Sequence, residues 1–529
     1  MQKEAYSFDE FDFGSKLIRD LVNQKNEVNS FVSDFYQVST IEKIIQSKSF
    51  STQQRALLVS VLNEQNKKLE LSPISKLNID LIKEENTFTI TTGHQLNLLT
   101  GPLFSIYKIA QIISISNGLN QKYPNQKFVP VFWLASEDHD FEEINHIHLF
   151  GKKIIWQNPE QKDVIAGKMK LTQLEPILAE VEALYQNEEL KEKLKTLTQF
   201  YRNSTTLAEA TRKIINHLFG EFGLVIIDGN EKLLKEKFKP VLLKEVREEV
   251  TFNAVSATNG DLKKSGYHEQ VFVRNCNLFF IHEDGKRERI VKENNQFSFQ
   301  NKSHSLTEIE SLINSFPEKF SPNALLRPVY QELVLPNLVY VGGGGEISYW
   351  LQLKNLFQNL GMNLPLLRVR DSFLILNQKQ ETELNELKIT VTALQKHVDS
   401  LAKALTLEKS GEKLDLTADK LALIEIKKNL LKKSDEVDKS LASMIEAEFV
   451  KMTSAIEKIE SKLIKSEKGK DDSVVSKISK LQEKLFPEKH LQERHDNFLP
   501  FYLNSPNFIS TIISEMKFEN EPKVRILIR

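Results

Sequence analysis

The sequence predicts an α/β protein: a core on one parallel sheet, interrupted by smaller modules, then a long antiparallel α-helical coiled-coil arm. Three observations predict it. Short, almost wholly apolar runs recur, each ending at a turn or an acid. The first two bracket a glycine turn and a helical stretch. From about residue 378, apolar residues fall into heptad spacing.

The β-prone run Phe88-Thr89-Ile90-Thr91-Thr92 ends at Gly93, and a helix pattern starts near Pro102. Phe128 to Leu134 (FVPVFWL) is nearly unbroken apolar sequence, as in strands covered on both faces. Strand, turn, helix and strand make a βαβ unit. Leu224 to Asp228 repeats the pattern, and Leu338 to Val341 runs into Gly342-Gly343-Gly344-Gly345. All four runs are expected side by side in one parallel sheet. Residues 1–85 have helical spacing. Residues 150–180 and 265–295 read as β-rich insertions. In the second, Val271-Phe272-Val273 and Leu278 to Ile281 flank a turn-like Arg274 to Asn277.

Leu384, Leu387, Val391, Leu394, Val398, Leu401 and Leu405 alternate three and four apart, a heptad seam. Ser410-Gly411 breaks it. The pattern resumes from about Thr417 to Lys465, with Met452, Ile456, Ile459 and Leu463 in register and a stutter at Leu441, Ile445 and Phe449. Gly469 ends that run. A third helix (Val475, Ile478, Leu481, Leu485) stops before Pro487. Two long helices and a short break imply an antiparallel hairpin; 30 residues would reach ~45 Å. Additional apolar positions (Ile424, Ile426, Leu430, Leu431) suggest a second contact face. The expected division is a core over 1–377, an arm over 378–486 and a return to the core over 487–529.

At 529 residues the chain is too long for one compact domain. A formal net charge of -1 gives no reason to expect nucleic acid. No apolar run approaches the ~20 residues of a membrane helix, and the acidic N-terminus has no signal-like apolar stretch, so the expected compartment is the cytoplasm. The lone cysteine, Cys276, sits in an apolar strand-like context and reads as a core residue.

Four constellations could carry chemistry. Gly93, His94, Gln95 and Asn97 lie between a strand and a helix, where free backbone N–H groups favour an anion. Ser136, Glu137, Asp138 and His139 follow a buried strand directly, where open α/β sheets bind ligands. Acids with a histidine there suit metal binding, amine recognition or proton transfer. Glu142 and Glu143 read as ordinary first-turn acids, and the spacing of His139, His146 and His148 matches no standard zinc pattern. Gly342, Gly343 and Gly344, with Glu346, offer backbone to a ligand, and Glu346 could take an amine or a ribose hydroxyl. Arg327, like Arg368 and Arg370, is an anion clamp or a structural ion pair.

At these motifs the chain resembles the cysteine ligases of bacillithiol synthesis, the BshC family. The matching segments are TTGHQLNLLTGPLFSIYK, PVFWLASEDHDFEEINHIHLF, SPNALLRPVYQELVLPNLVYVGGGGEISYWLQL and the heptad arm. His94 stands where the family usually has Gln, and Gly344 where Pro is common. The resemblance implies a Rossmann-type core with connecting-peptide insertions, similar in plan to class I aminoacyl-tRNA synthetases, and a homodimer held largely by the arm. It implies amide formation between cysteine and glucosaminyl malate. The cysteine carboxylate is a poor acyl donor, so activation by ATP as an acyl-adenylate is expected. The glycine turns would position phosphates or carboxylates, Asp138 the amine or a divalent ion, and His139 would assist proton transfer. The rivals are another adenylate-forming or nucleotidyl-transferring enzyme and a non-catalytic coiled-coil scaffold.

Overall fold

The computed structural model describes residues 4–410, 416–468, 472–519 and 521–529. The chain divides into two compact units. The larger comprises Ala5–Phe373 with Glu493–Arg525; the smaller comprises Leu374–Gln492 with the chain end Ile526–Arg529.

The larger unit is built on five parallel strands. Strand β1 (Thr87–His94) leads through helix α1 (Phe104–Lys122) to β2 (Lys127–Leu134). Then follow β3 (Val225–Asp228), β4 (Asn337–Gly342), helix α2 (Gly344–Leu351) and β5 (Leu366–Val369). The spatial order is β5-β4-β1-β2-β3, every pair parallel. The four expected strands therefore share one sheet, and β5 is a fifth that the pattern did not mark. Seven of the eight β2 residues are buried, matching its apolar run. Each fully buried Val, Phe or Leu contributes ~1.5–3 kcal/mol. Helix α1 is buried on nearly all sides, Lys108 and Gln111 included.

The link from β1 to α1 is tight. Leu99 and Thr100 take positive φ, and Gly101 has φ 66°. A Cβ on Gly101 would lie 2.6 Å from the Asn97 Cβ, so only glycine lets Asn97 fold back there.

The insertions differ from expectation. In 150–180 only Lys152–Ile155 is a strand, in a hairpin with His146–Leu149; later residues include the helix Glu175–Ala183. In 265–295, Leu278–Ile281 pairs with Arg287–Arg289 and with Phe320–Pro322. A second three-stranded sheet holds Val291–Glu293, Gln296–Phe299 and Lys302–His304. Val271 to Val273 is not a strand. The Gln352 side chain accepts from the N–H groups of Gln270 (3.0 Å) and Val271 (2.9 Å), which ties this backbone to a side chain instead of a neighbouring strand. Cys276 is buried, and burial pushes its thiol pKa far up, so it is a core residue.

The smaller unit corrects the expected hairpin. The first seam is not one helix: Gln378–Leu387 ends at Lys388 in the left-handed region, Val391–Gln395 is a 3-10 turn, and Val398–Ser410 resumes. Leu384, Leu394 and Leu401 are nonetheless buried, packed with the helix Asp472–Leu485. Gln482 stabilises the interruption by donating to the carbonyls of Leu394 (2.6 Å) and Lys396 (2.7 Å). The antiparallel hairpin is instead α3 (Thr417–Val437) with α4 (Ala442–Lys468). Lys420 pairs with Glu460 at 2.8 Å and Lys427 with Glu446 at 2.5 Å, a register that runs in opposite directions. The reversal falls at Lys439–Leu441, where Asp438 turns extended and caps Ser440 N at 2.8 Å. The stutter at Leu441 is this reversal. Gly411 and Gly469 lie outside the described residues.

Candidate active site

Strand order reverses between β1 and β4: the chain leaves β1 toward β2 on one side and later fills β4 and β5 on the other. Sheets of this kind bind ligands at the carboxyl ends of the strands at such a switch point. There, Lys108 of α1 donates to Glu346 Oε2 at 2.6 Å and to the Gly93 carbonyl. The Tyr340 hydroxyl donates to Glu346 Oε1. Arg327 donates to the Tyr340 hydroxyl at 3.3 Å and lies over the stacked rings of Tyr340 and Trp350. The Lys108 side chain is 3% exposed. Burial lowers its pKa, and Glu346 opposes that shift.

The glycines differ among themselves. A Cβ on Gly93 would come within 3.3 Å of the Trp133 carbonyl and 3.7 Å of the Tyr340 hydroxyl. Its smallness serves the approach of β2 and Tyr340. The run of four is not a loop: Gly343 caps α2, and Gly344 and Gly345 form its first turn. Gly342 is closed in by Ile347 and Glu346, whereas nothing lies within 4 Å of a Cβ on Gly343. The Cβ side of Gly343 is therefore open at the start of a helix, the kind of helix end where backbone N–H groups favour an anion.

The second cluster stands at the end of β2. Gln95 Nε2 donates to Asp138 Oδ2 (2.8 Å) and Glu143 Oε2 (2.6 Å), and Asn97 donates to the Glu143 carbonyl (3.1 Å). Asp138 Oδ1 accepts from His139 N at 2.7 Å. Ser136 donates to Asp228, and Glu137 pairs with the fully buried Lys235. Burial raises the Asp228 pKa and lowers that of Lys235. Arg287 approaches His139 Nδ1 at 3.3 Å. Arginine only donates, so Nδ1 accepts and the neutral ring carries its proton on Nε2. Burial and then the Arg287 charge lower the His139 pKa, which keeps the ring neutral.

The structure thus brings Gln95, Asn97 and Asp138 into one cluster, and Gly93, Glu346 and Arg327 into another. Ser136 and Glu137 are engaged with β3 and Lys235. His94 lies edge-on to Phe104, with Nε2 buried and unpartnered. Burial, with Lys108 and Arg370 nearby, drives its pKa well down. Arg370 is a structural ion pair, bidentate with Glu493 at 2.7 and 2.6 Å. Arg368 lies 3.5 Å from Asp371. Among the described residues no His, Cys, Asp and Glu group of three or more could hold a metal. No helix of the described chain is long and apolar enough to cross a membrane.

Sequence reasoning missed Lys108, Lys235, Arg287 and Glu143. Lys108 had a signal: a lone cation inside the apolar run PLFSIYKIAQII. Lys235 had none among its lysine-rich neighbours, nor Arg287 in GKRERI. A cleft of about 480 Å³ beside β5, lined by Tyr36, Arg368 and Glu519, includes none of these residues. Converging polar groups at the switch point mark the site better than that cleft does.

Residues 1–371 match the family model described as Bacillithiol biosynthesis BshC, N-terminal Rossmann-like domain. Residues 373–526 match Bacillithiol biosynthesis BshC, C-terminal coiled-coil domain. Among similar proteins, one of Flavobacterium johnsoniae is 39% identical over 508 residues, 95% of each chain. One of Flavobacterium psychrophilum is 39% identical over 510 residues, again 95% of each. One of Christiangramia forsetii is 36% identical over 527 residues, 98% of this chain and 97% of that one. All three are named as cysteine ligases BshC. Matched along both domains, the chain belongs to the bacillithiol biosynthesis BshC family.

Proposed function

We propose that this protein is the cysteine ligase of bacillithiol synthesis, joining the cysteine carboxylate to the amine of glucosaminyl malate with ATP as the activating substrate. The observation that carries the reading is family membership along both domains. ATP supplies a leaving group on the cysteine carboxylate, which water-stable carboxylates lack. The open backbone at Gly343, at the head of α2, fits an anionic group of that substrate. Arg327, held over the Tyr340 and Trp350 rings, adds positive charge at the same edge.

Amide formation then needs the amine held, deprotonated and aimed. Asp138, oriented by Gln95, is the acceptor for the amine protons. His139 offers an Nε2–H donor to an oxygen of the reacting group, held in that tautomer by Arg287. Positioning of the two substrates supplies most of the rate. The test is product formation from cysteine, ATP and glucosaminyl malate by purified protein. Asp138→Asn should cut kcat by 10²-fold or more, the scale of a lost general base. Full activity in both Asp138→Asn and His139→Ala would remove them from the site.

The protein acts as a homodimer through the α3–α4 hairpin. Leu421 (61%), Ile424 (60%), Met444 (55%) and Ile459 (54%) are exposed on that hairpin, while Lys420 and Lys427 occupy its inner seam. An apolar outer face over a part-polar seam wants a partner, and two-fold pairing is the commonest way to cover it.

A further inference from the structure

The inserted three-stranded sheet carries a cluster of positive charge that the proposed chemistry does not use. Arg287 and Arg289 sit two apart on one strand, on the same face, beside Phe279 of the neighbouring strand. Their guanidinium carbons lie 3.9 and 5.1 Å from the Phe279 ring centre. Arg274, on the segment leading into that strand, lies 5.7 Å from the ring of Phe272, which is 67% exposed. His139 meets Phe279 edge-on, ring centres 5.5 Å apart, and Arg287 bridges the two by bonding His139 Nδ1 at 3.3 Å.

These arginines are unlike the other cations of the site. Lys108 is taken by Glu346 and Lys235 by Glu137. Arg287 bonds only neutral groups: Ser321 Oγ at 3.2 Å, the Pro322 carbonyl at 2.7 Å and His139 Nδ1 at 3.3 Å. Among the described residues no carboxylate pairs with Arg274 or Arg289, and no hydrogen bond occupies their guanidinium groups. Burial and the like charge of Arg274 both lower the Arg289 pKa, as expected where no counter-charge intervenes. Arg287 has the charges of Glu137 and Asp138 near it, but Arg289 has only the like charge of Arg274, an arrangement that is unfavourable unless an anion visits it.

We infer that Arg274 and Arg289, with Arg287 fixed behind them by Ser321 and Pro322, form a subsite for a dicarboxylate: the malyl end of the amine substrate. The inference rests on the proposed reaction. Two observations favour this over the phosphates of the nucleotide. The topology places an anionic nucleotide at the β1–β4 switch point, where Gly343 is open, one strand away. Arg287, on the same strand face as Arg289, instead adjoins His139, next to the carboxylate assigned to the amine. A substrate clasped at its malyl end by the arginines would present its sugar amine toward Asp138. Guanidiniums of Arg274 and Arg289, near aromatic rings and engaged by no side-chain hydrogen bond among the described residues, have N–H groups available for bidentate contact with carboxylates.

The full chain carrying Arg274→Ala, Arg289→Ala or both is titrated calorimetrically with glucosaminyl malate, with L-malate alone, with ATP and with glucosamine. Both side chains are exposed, so the fold is expected to survive, and circular dichroism checks it. Each single change should weaken glucosaminyl malate binding about tenfold or more, and the double change should abolish L-malate binding. ATP and glucosamine should bind as in the unmodified protein. Unchanged affinity for glucosaminyl malate and L-malate in the double variant overturns the subsite. So does a loss confined to ATP, which would make the cluster a phosphate site. The L-malate arm needs no turnover: unmodified protein that binds malate through these arginines but makes no thiol product would leave the subsite standing and refute the reaction.

Discussion

The Lys108–Glu346 pair offers a quantitative test of how the switch point is built. Lys108 makes two bonds, to Glu346 at 2.6 Å and to the Gly93 carbonyl, and is 3% exposed; Glu346 is 20% exposed. Lys108→Met removes both bonds and leaves a carboxylate facing only Tyr340. Removing one partner of a buried pair costs about 3–5 kcal/mol. The residual exposure of Glu346 and its bond to Tyr340 place this case at about 3 kcal/mol. Glu346→Gln keeps a neutral acceptor for Lys108 and should cost about 2 kcal/mol. In Lys108→Met/Glu346→Gln no isolated charge remains, so the double variant should be about 1.5 kcal/mol more stable than the sum of the singles implies. Urea unfolding followed by tryptophan fluorescence reads this cleanly. All three tryptophans, Trp133, Trp156 and Trp350, lie in the larger unit, and Trp350 stacks on Tyr340 with ring centres 4.0 Å apart. Additivity of the two single changes within about 0.5 kcal/mol would refute the pairing.

Three further outcomes are expected. His94 has a folded pKa well below the 6.5 of a free imidazole, so below pH 6.5 the unfolded chain takes a proton that the folded chain refuses. Stability is then full above pH 6.5 and falls on acidification, by up to about 1.4 kcal/mol per pH unit for this group; His94→Gln should show a smaller drop in urea midpoint between pH 7.5 and 5.5. Gly101→Ala should lose about 1–3 kcal/mol, because φ is 66° and the new Cβ meets Asn97 at 2.6 Å; unchanged thermal stability would contradict the geometry. Ile424→Glu with Ile459→Glu should convert a dimer to a monomer of 61.0 kDa by light scattering without unfolding α3 and α4; a dimer that persists would place the interface elsewhere.

The sheet was legible because its strands are buried on both faces, which forces continuous apolar runs such as FVPVFWL. Gly93, the Ser136 to His139 segment and Gly342 were legible for a related reason: they follow those runs directly, and chain order places them at one edge. The heptad leucines were likewise marked as buried positions, and Leu384, Leu394 and Leu401 are. β5 escaped notice because LLRV is short and carries an arginine.

What the sequence by itself determined was therefore burial, and element type where an apolar run is continuous as in the core strands, since both follow from periodicity along a few neighbouring residues. Which groups meet was decided by tertiary structure alone. Lys108 finds Glu346 across 238 positions, Arg287 finds His139 across 148, and Gln95 finds Asp138 across 43. The hairpin's reversal near Asp438 was settled in the same way. An apolar seam is satisfied by any partner of matching period, and among the described residues the ion pairs of Lys420 with Glu460 and Lys427 with Glu446 mark the helix that α3 packs on. Side-chain pairing between distant segments leaves no periodic trace, because its free energy comes from geometry and exclusion of water at the contact.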